Sequence, residues 1–311
     1  MREFAYHRAA DVREALAAAG EGARYLGGGT NLVDLMKAGV ETPTRLVDVR
    51  FLPLAGISET ADELVIGATT TNSDLAAHPR VRRRFPALSQ AVLAGASGQL
   101  RNMATVGGNL LQRTRCAYFA TQECNKRAPG TGCPALGGEH HNHAILGWSE
   151  SCVATHPSDM AVALLAFDAV VRFETLDGPG EIPLAEFYPP VGDTPHVETT
   201  LPPGALITAV SLRDSYPRSR YRKVRERASY AFATVSIAAS LDDGSARIAL
   251  GGVASRPWRA RRAEAVLLEH PGEFHAAAEA ELAAAEPLPG NGYKLTLARN
   301  LIVSALSEVR A

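Results

Sequence analysis

The sequence predicts an α+β protein of about two domains, and three observations lead there. The chain has 311 residues, too long for one small core and suited to two units of roughly 150 residues each. Hydrophobic side chains make up 46% and charged ones 21%, the balance of an ordinary soluble globular protein. Strand-like and helix-like patterns alternate from the start and change texture near residues 55 and 216.

Charge and hydropathy exclude several functions. Lys plus Arg total 32 against 33 Asp plus Glu, a net charge of -1, so no basic surface points to nucleic acid. No apolar run nears the roughly 18 residues of a membrane span, and the opening MREFAYHRAA lacks a signal-peptide core. The expectation is no nucleic acid and no membrane insertion. A cytoplasmic location follows, unless a signal-bearing partner carries the chain to the periplasm.

The first 54 residues read as a βαβαβ-like module. A short strand around Phe4 and Tyr6 precedes Asp11, which caps a helix with Glu14 three residues on. That helix runs to about Gly20, residues 23–26 form a strand, 31–38 a helix and 45–49 a strand. From residue 55 the pattern gives a strand at 63–71 and helices at 72–77 and 85–97. After an irregular stretch come a helix and a strand within 157–176, a Pro-rich surface excursion at 179–204 and a strand at 206–212. Beyond Tyr216-Pro217, two apolar strands within YAFATVSIAASL and ARIALGGVA join as a hairpin at Asp242-Asp243-Gly244. Helices at 259–269, 273–285 and 291–309 follow. The domains expected are 1–215, split into subdomains 1–54 and 55–215, and 216–311.

Two glycine turns carry possible chemistry. Gly27-Gly28-Gly29-Thr30-Asn31 sits between a strand and a helix, where free N–H groups and the helix dipole favour an anion. It is neither a G-x-G-x-x-G fingerprint nor a P-loop, and alone it reads equally well as a tight turn. The second turn, Thr105-Val106-Gly107-Gly108-Asn109, shifts the balance. Two separated nests can grip the two halves of a pyrophosphate, as a dinucleotide requires.

All four cysteines, Cys116, Cys124, Cys133 and Cys152, fall in the insertion 112–152, spaced x7, x8 and x18. A disulfide framework suits a small secreted domain and not this chain. From spacing alone an iron–sulfur cluster and a zinc site are level; a chance cluster of inert thiols is the bland alternative. Arg113, Arg115, Lys126 and Arg127 flank the first two cysteines, where cations would ease burial of an anionic cluster. Gly130, Gly132 and two prolines would let the loop wrap tightly. Cys152 is the most distant ligand. A nitrogen from His140, His141 or His143 could replace it, although that stretch also reads as exposed loop.

Four segments together resemble a known family: LGGGTNLVDLMK, QLRNMATVGGNLLQRTRC, THPSDMAVALLAFDA and YRKVRERASYAFATVSIA. They resemble, in order and over nearly the whole chain, the FAD-binding subunit of the xanthine dehydrogenase and aldehyde oxidoreductase family, the molybdenum hydroxylases. The resemblance implies a two-subdomain FAD-binding fold of the vanillyl-alcohol-oxidase (PCMH) type. A smaller α+β C-terminal domain like that of CO dehydrogenase flavoproteins follows it. It implies that Leu26, Gly27, Gly28, Gly29, Thr30, Asn31 and Leu32 wrap the FAD pyrophosphate, and that Thr105, Gly108 and Asn109 form the second nest. It further implies Asp159 on the ribityl or adenosine hydroxyls, Ile207 near the isoalloxazine and Lys223 at the ring's polar edge, where its charge would favour the reduced flavin. Read without the family, Asp159 is a helix N-terminal carboxylate and Lys223 one charge on a solvated face.

The cysteine insertion resembles that of three-subunit bacterial aldehyde oxidoreductases, which implies a [4Fe–4S] cluster on Cys116, Cys124, Cys133 and Cys152. The expected function is an FAD- and iron–sulfur-containing electron-transfer subunit. Its partners would be a large molybdenum-cofactor subunit, a small [2Fe–2S] subunit and an external electron acceptor. No catalytic Cys–His or Ser–His set is evident, so the flavin carries the chemistry. The alternatives are a stand-alone flavin reductase of the same fold and a zinc-stabilised scaffold without redox role.

Overall fold

A computed structural model describes residues 1–242 and 245–311. The first module has β1 (Ala5–Arg8), α1 (Val12–Ala18), β2 (Ala23–Leu26), α2 (Leu32–Lys37) and β3 (Arg45–Asp48). Its three strands are parallel in the order β1-β3-β2, as two helical crossovers require. Asp11 Oδ1 accepts from Glu14 N at 2.8 Å, and Glu14 Oε2 accepts from Ala10 N at 2.7 Å. The returning carboxylate thus reaches the residue before the cap rather than the cap itself. Ala15, Leu16, Val47 and Val49 bury the module against Leu206 of the next one.

The second module is an antiparallel sheet in the order β4-β5-β8-β6-β7. Its strands are β4 (Ile57–Glu59), β5 (Leu64–Gly67), β6 (Val170–Thr175), β7 (Gly178–Pro183) and β8 (Leu206–Leu212). Helices α3 (Asn72–Ala77), α4 (Pro79–Arg84), α5 (Pro86–Ala94), α6 (Gly98–Arg101) and α7 (Val106–Leu110) follow β5. The long helix expected at 85–97 is shorter because Gly95 caps α5, and Ser97 starts α6 afresh. Part of the supposed surface excursion is a strand: β7 pairs with β6 from Gly178 to Pro183, and Pro183 is tolerated because β7 is the sheet edge. The insertion holds α8 (Ala117–Thr121), and α9 (Asp159–Ala166) and α10 (Leu184–Phe187) complete the module.

The last module is a second antiparallel sheet, β12-β11-β10-β9. It comprises β9 (Ser219–Val224), β10 (Val235–Asp242), β11 (Ser245–Gly251) and β12 (Trp258–Arg259), with α11 (Arg261–Glu269), α12 (Phe274–Leu282) and α13 (Tyr293–Arg310). Asp243 and Gly244 of the expected hairpin turn lie outside the described residues. The strands they join pair as expected, from Ser236 opposite Gly251 to Asp242 opposite Ser245. Both faces of this sheet are buried. Val235, Ile237, Ile248 and Leu250 pack under α11–α13, while Tyr221, Ala238 and Ala249 belong to the core around α5 and α9. Alternate residues of one strand therefore serve two cores.

One buried cation joins the last module to the cysteine insertion. Lys294 of α13 is fully buried and donates to His143 O at 2.9 Å and Gly252 O at 2.8 Å. Burial pushes its ammonium down to about 7 from the ordinary 10.5. Between those two values the unfolded chain holds the extra proton, so this group makes stability rise with pH across that window. Lys294→Met is expected to flatten the rise by as much as ~1.4 kcal/mol per pH unit, measured by urea unfolding at intervals from neutral to alkaline pH.

Candidate functional site

Two loops meet at the centre of the site. The turn after β2 lies directly against the turn before α7: a Cβ on Gly28 would sit 1.8 Å from Met103 O, and one on Gly27 2.7 Å from Thr105 Oγ1. Only glycine permits that approach. The second turn is anchored on the end of β5. There Gly107 N donates to Ala68 O at 2.9 Å, Val106 N to Thr70 O at 3.0 Å and Asn72 N to Ala104 O at 2.8 Å. Among the described residues, no backbone N–H from Gly27 to Asn31 has an acceptor within the protein. A run of free amides is the donor set a phosphate takes. Helix α2 has six residues, so these amides, more than a helix dipole, supply the positive end.

Cavities open on either side of this junction. The first, about 260 Å³, is lined by Tyr25, the three glycines, Leu32, Leu206 and Ile207. The second, about 490 Å³, is lined by Asn72, Asn109, Asp159, Lys223, Tyr230 and Phe232. Thr30, Asn31 and Gly108 line both, so the two form one groove pinched at the loops. Asn31 Oδ1 accepts from Arg113 N at 2.9 Å, which leaves Nδ2 buried with no partner. Thr69 Oγ1 in the first cavity and Asn72 Oδ1 in the second are also buried and unpaired. Buried polar atoms are normally satisfied, and three unsatisfied ones along one groove fit a polar, elongated ligand. A dinucleotide with its diphosphate at the pinch meets all of these requirements.

The expected nest residues sit at this pinch, with one exception. Leu26 ends β2, where its carbonyl accepts from Val49 N at 3.1 Å, and it lines neither cavity. Thr105 lines the first cavity, and its Oγ1 accepts from Gly108 N at 3.3 Å. Asn109 Oδ1 accepts from Ser158 Oγ at 2.6 Å and Gln112 Nε2 at 3.0 Å. That tie joins the second nest to the cap of α9.

Asp159, Tyr221 and Lys223 form a buried triad, of which Asp159 and Lys223 line the second cavity. Lys223 Nζ is 2.7 Å from Asp159 Oδ2, and Tyr221 donates to Oδ1 at 2.5 Å. The paired charges are only 4% and 6% exposed. One reading changes here: Lys223 is not a charge on a solvated face, because it is buried against Asp159. Lys223 lines the second cavity and Ile207 the first. Two further cations line the second cavity without a salt bridge among the described residues: Arg115, 5.0 Å from the Phe232 ring centroid, and Arg227, which donates to Tyr230 O. Neither Arg115 nor Tyr221 was singled out for this site from sequence; the alternation of Tyr221 and Lys223 on one face of β9 was the available signal.

The four cysteine sulfurs wall a separate small cavity, together with Phe119, Lys126 and Ala135. Cys124 and Cys152 are buried, Cys116 and Cys133 half-buried, and all are free thiols. The wrapping follows from Asn125, whose Oδ1 accepts from Gly130 N at 3.0 Å and Gly132 N at 2.8 Å. Both glycines have positive φ, +92° and +84°, as the tight reversal needs. Among the described residues, no group of three or more His, Cys, Asp or Glu side chains is arranged to hold a metal ion. Burial pushes the Cys152 thiol up to about 11 and raises Cys116 as well, while Lys126 acts the other way on Cys152.

The flanking cations behave differently from expectation. Arg113 is tied to Glu41 and Glu198, and Lys126 to Glu198 at 2.9 Å. Burial would raise the Glu198 carboxyl, but Lys126 and Arg113 together hold it below its ordinary value. Arg127 donates to Phe119 O and Gln122 O. Of the four, only Lys126 lines the thiol cavity. The histidines are not an exposed stretch either, since His140 and His143 are buried. His140 Nε2 is 2.9 Å from Leu136 O, exposed His141 pairs with Glu226 at 3.0 Å, and His143 Nε2 is 3.3 Å from Cys116 Sγ.

Two substitutions test this geometry. Gly28→Ala forces the loops apart and is expected to lower flavin retained per chain by about tenfold, a loss of ~1.4 kcal/mol in binding, read from flavin released on acid denaturation. Lys223→Met leaves Asp159 buried without its counter-ion. It is expected to cost about 3–5 kcal/mol of stability, measured by chemical denaturation, with Asp159→Asn added to the same chain recovering part of the loss.

Comparison with known proteins agrees with the groove. Residues 2–212 match the FAD binding domain in molybdopterin dehydrogenase, and residues 219–309 match the CO dehydrogenase flavoprotein C-terminal domain. The chain is 53% identical to the aldehyde oxidoreductase FAD-binding subunit PaoB of Escherichia coli, over 100% of this chain and 99% of that protein. It is 27% identical to the carbon monoxide dehydrogenase medium chain of Afipia carboxidovorans, over 99% of this chain and 97% of that one. The solved carbon monoxide dehydrogenase of Hydrogenophaga pseudoflava superposes with a TM-score of 0.76 at 27% identity, covering 99% of this chain and 98% of its own. The groove with its free amides and the full-length matches lead to one conclusion: this chain belongs to the FAD-binding subunits of the xanthine dehydrogenase and aldehyde oxidoreductase family.

Proposed function

We propose that this chain is the electron-transfer subunit of a molybdenum-dependent aldehyde oxidoreductase, holding FAD in the groove and a [4Fe–4S] cluster in the thiol cavity. Its partners in this reading are a large molybdenum subunit and a small [2Fe–2S] subunit, with an external acceptor beyond the flavin. The observation that carries the proposal is a succession of cavities. An intermediate one of about 330 Å³ is lined by Arg115 and Phe232, which also line the second flavin cavity, and by Cys116 and Tyr118, which also line the thiol cavity.

Each part of the chain has a defined task in this reading. The amides of Gly27 to Asn31 and the free Asn31 Nδ2 donate to the diphosphate. The smaller first cavity, with Tyr25 and Ile207, takes the adenosine end; the larger second cavity takes the tricyclic ring. Asp159 keeps acceptor capacity for ribityl hydroxyls because Tyr221 and Lys223 fix its carboxylate without using every lone pair. Tyr230 and Phe232 close the outer side of the ring cavity. FAD, when bound, exchanges electrons singly or in pairs, which suits a station between one-electron centres and an acceptor.

Four cysteines line one cavity, and the likeness of the insertion to that of three-subunit aldehyde oxidoreductases favours a cluster over zinc. A polynuclear core needs its thiolates spread around it. Cys152 lines the cavity with the other three and none of the described histidines does, so the ligand set in this reading is four cysteines.

Anaerobic purification should give about four iron and four sulfide per chain alongside one flavin. Cys152→Ser should lose most of the iron and the brown absorption while keeping the flavin peaks. Zinc in place of iron in the wild-type chain would defeat the cluster assignment.

A further inference from the structure

The thiol cavity and the second flavin cavity share no lining residue. Of the four cysteines, only Cys116 also lines the intermediate cavity between them. It is therefore the cysteine that faces the flavin side. Among the described residues it is also the only cysteine whose sulfur has a side-chain hydrogen-bond partner, His143 Nε2 at 3.3 Å. A metal-bound thiolate carries no proton, so in that contact the nitrogen must be the donor.

His143 is held in place with unusual economy. Its carbonyl accepts from Asn291 Nδ2 at 3.1 Å and Lys294 Nζ at 2.9 Å, and both donors are fully buried. Asn291 also reaches Ala144 O at 3.1 Å, and the next two residues are tied to Val253 O through Ile145 N and Leu146 N. The ring is 7% exposed, and its Nδ1 is buried with no partner. No bond to Nδ1 fixes the ring, so its orientation comes from the backbone clamp and the contact with sulfur. The Tyr118 ring, 6.2 Å away between centroids, borders it.

We propose that His143 is a positioning residue: it donates its Nε2–H to Cys116 Sγ and thereby raises the reduction potential of the cluster at the ligand facing the flavin. Asn291 and Lys294, from the C-terminal unit, hold it there. This inference rests on the [4Fe–4S] reading above. Hydrogen bonds to cluster sulfurs are one of the protein's means of setting potential, because they stabilise the more negative, reduced state. Only one of four ligands receives such a side-chain bond here, so the effect is directed to the side from which electrons cross to the flavin.

The test uses the full chain, prepared anaerobically, with iron and sulfide measured first. The cluster is then titrated against redox mediators and followed by electron paramagnetic resonance, with the flavin midpoint read separately from its visible bands. His143→Leu is expected to lower the cluster's reduction equilibrium about tenfold, which is 59 mV for a one-electron couple, with the flavin midpoint unmoved. His143→Gln keeps an N–H donor and should stay within about threefold of wild type. A fully loaded His143→Leu chain with the wild-type cluster potential overturns the proposal. If His143→Leu does not load, His143→Phe takes its place under the same criterion. Failure of both to load while His143→Gln loads overturns tuning in favour of an assembly role. A wild-type chain without iron and sulfide removes the cluster reading itself, and this proposal with it; a loaded wild type with unshifted variants removes only this proposal.

Discussion

The site depends on one steric constraint, the contact between the Gly27–Gly29 turn and the backbone of Met103 to Thr105. With Gly28 close enough that a single added carbon would overlap a carbonyl oxygen, the two loops act as one wall. The first loop hangs from a parallel sheet and the second from an antiparallel one, so the contact also sets how the two subdomains meet. Free amides from the first and the turn of α7 from the second reach the same point only because nothing stands between them. Asn31 reports the same closeness, since its oxygen is spent on Arg113 N and its nitrogen is left facing the groove.

Charge in the site is balanced locally. Lys223 answers Asp159, and Arg113 and Lys126 answer Glu198 and Glu41, all with at least one partner largely out of water. Buried ions are tolerable when paired and hydrogen-bonded, and costly when one partner is missing. The cysteine insertion therefore carries basic residues that anchor it to the FAD-binding subdomains more than they face the sulfurs. Arg115 is the exception. It lines both the second and the intermediate cavity, with the Phe232 ring beside it and the charge of Asp34 acting on it.

Much of this was legible in the sequence where local rules decide. The capping pair Asp11 and Glu14, the strands at 23–26 and 206–212 and the three C-terminal helices follow from spacing and punctuation alone. The two glycine turns were legible as a pair, because neither is needed twice for a turn. Long-range pairing was not. Nothing local shows that Lys223 finds Asp159, since β9 and α9 meet only when the last sheet packs on the middle core. The separation of Ile207 from Lys223 has the same origin. The burial of His140 and His143 was hidden because their polar neighbours look like loop, whereas Asn291 and Lys294, some 150 positions later, draw His143 inward. Four cysteines at irregular spacing could be grouped from composition but not shaped.

The doubly covered sheet of β9 to β12 has a consequence for the chain's modularity. The units on either side of residue 216 share a wall: Tyr221, Ala238 and Ala249 of the second complete the core of the first, while their strand neighbours complete the second's own. Ile145 and Leu146 of the insertion are built into the far side as well. The portion that wraps the sulfurs is thus a tenant of both halves, and neither half can be exchanged between relatives as a cassette without refitting the wall they have in common.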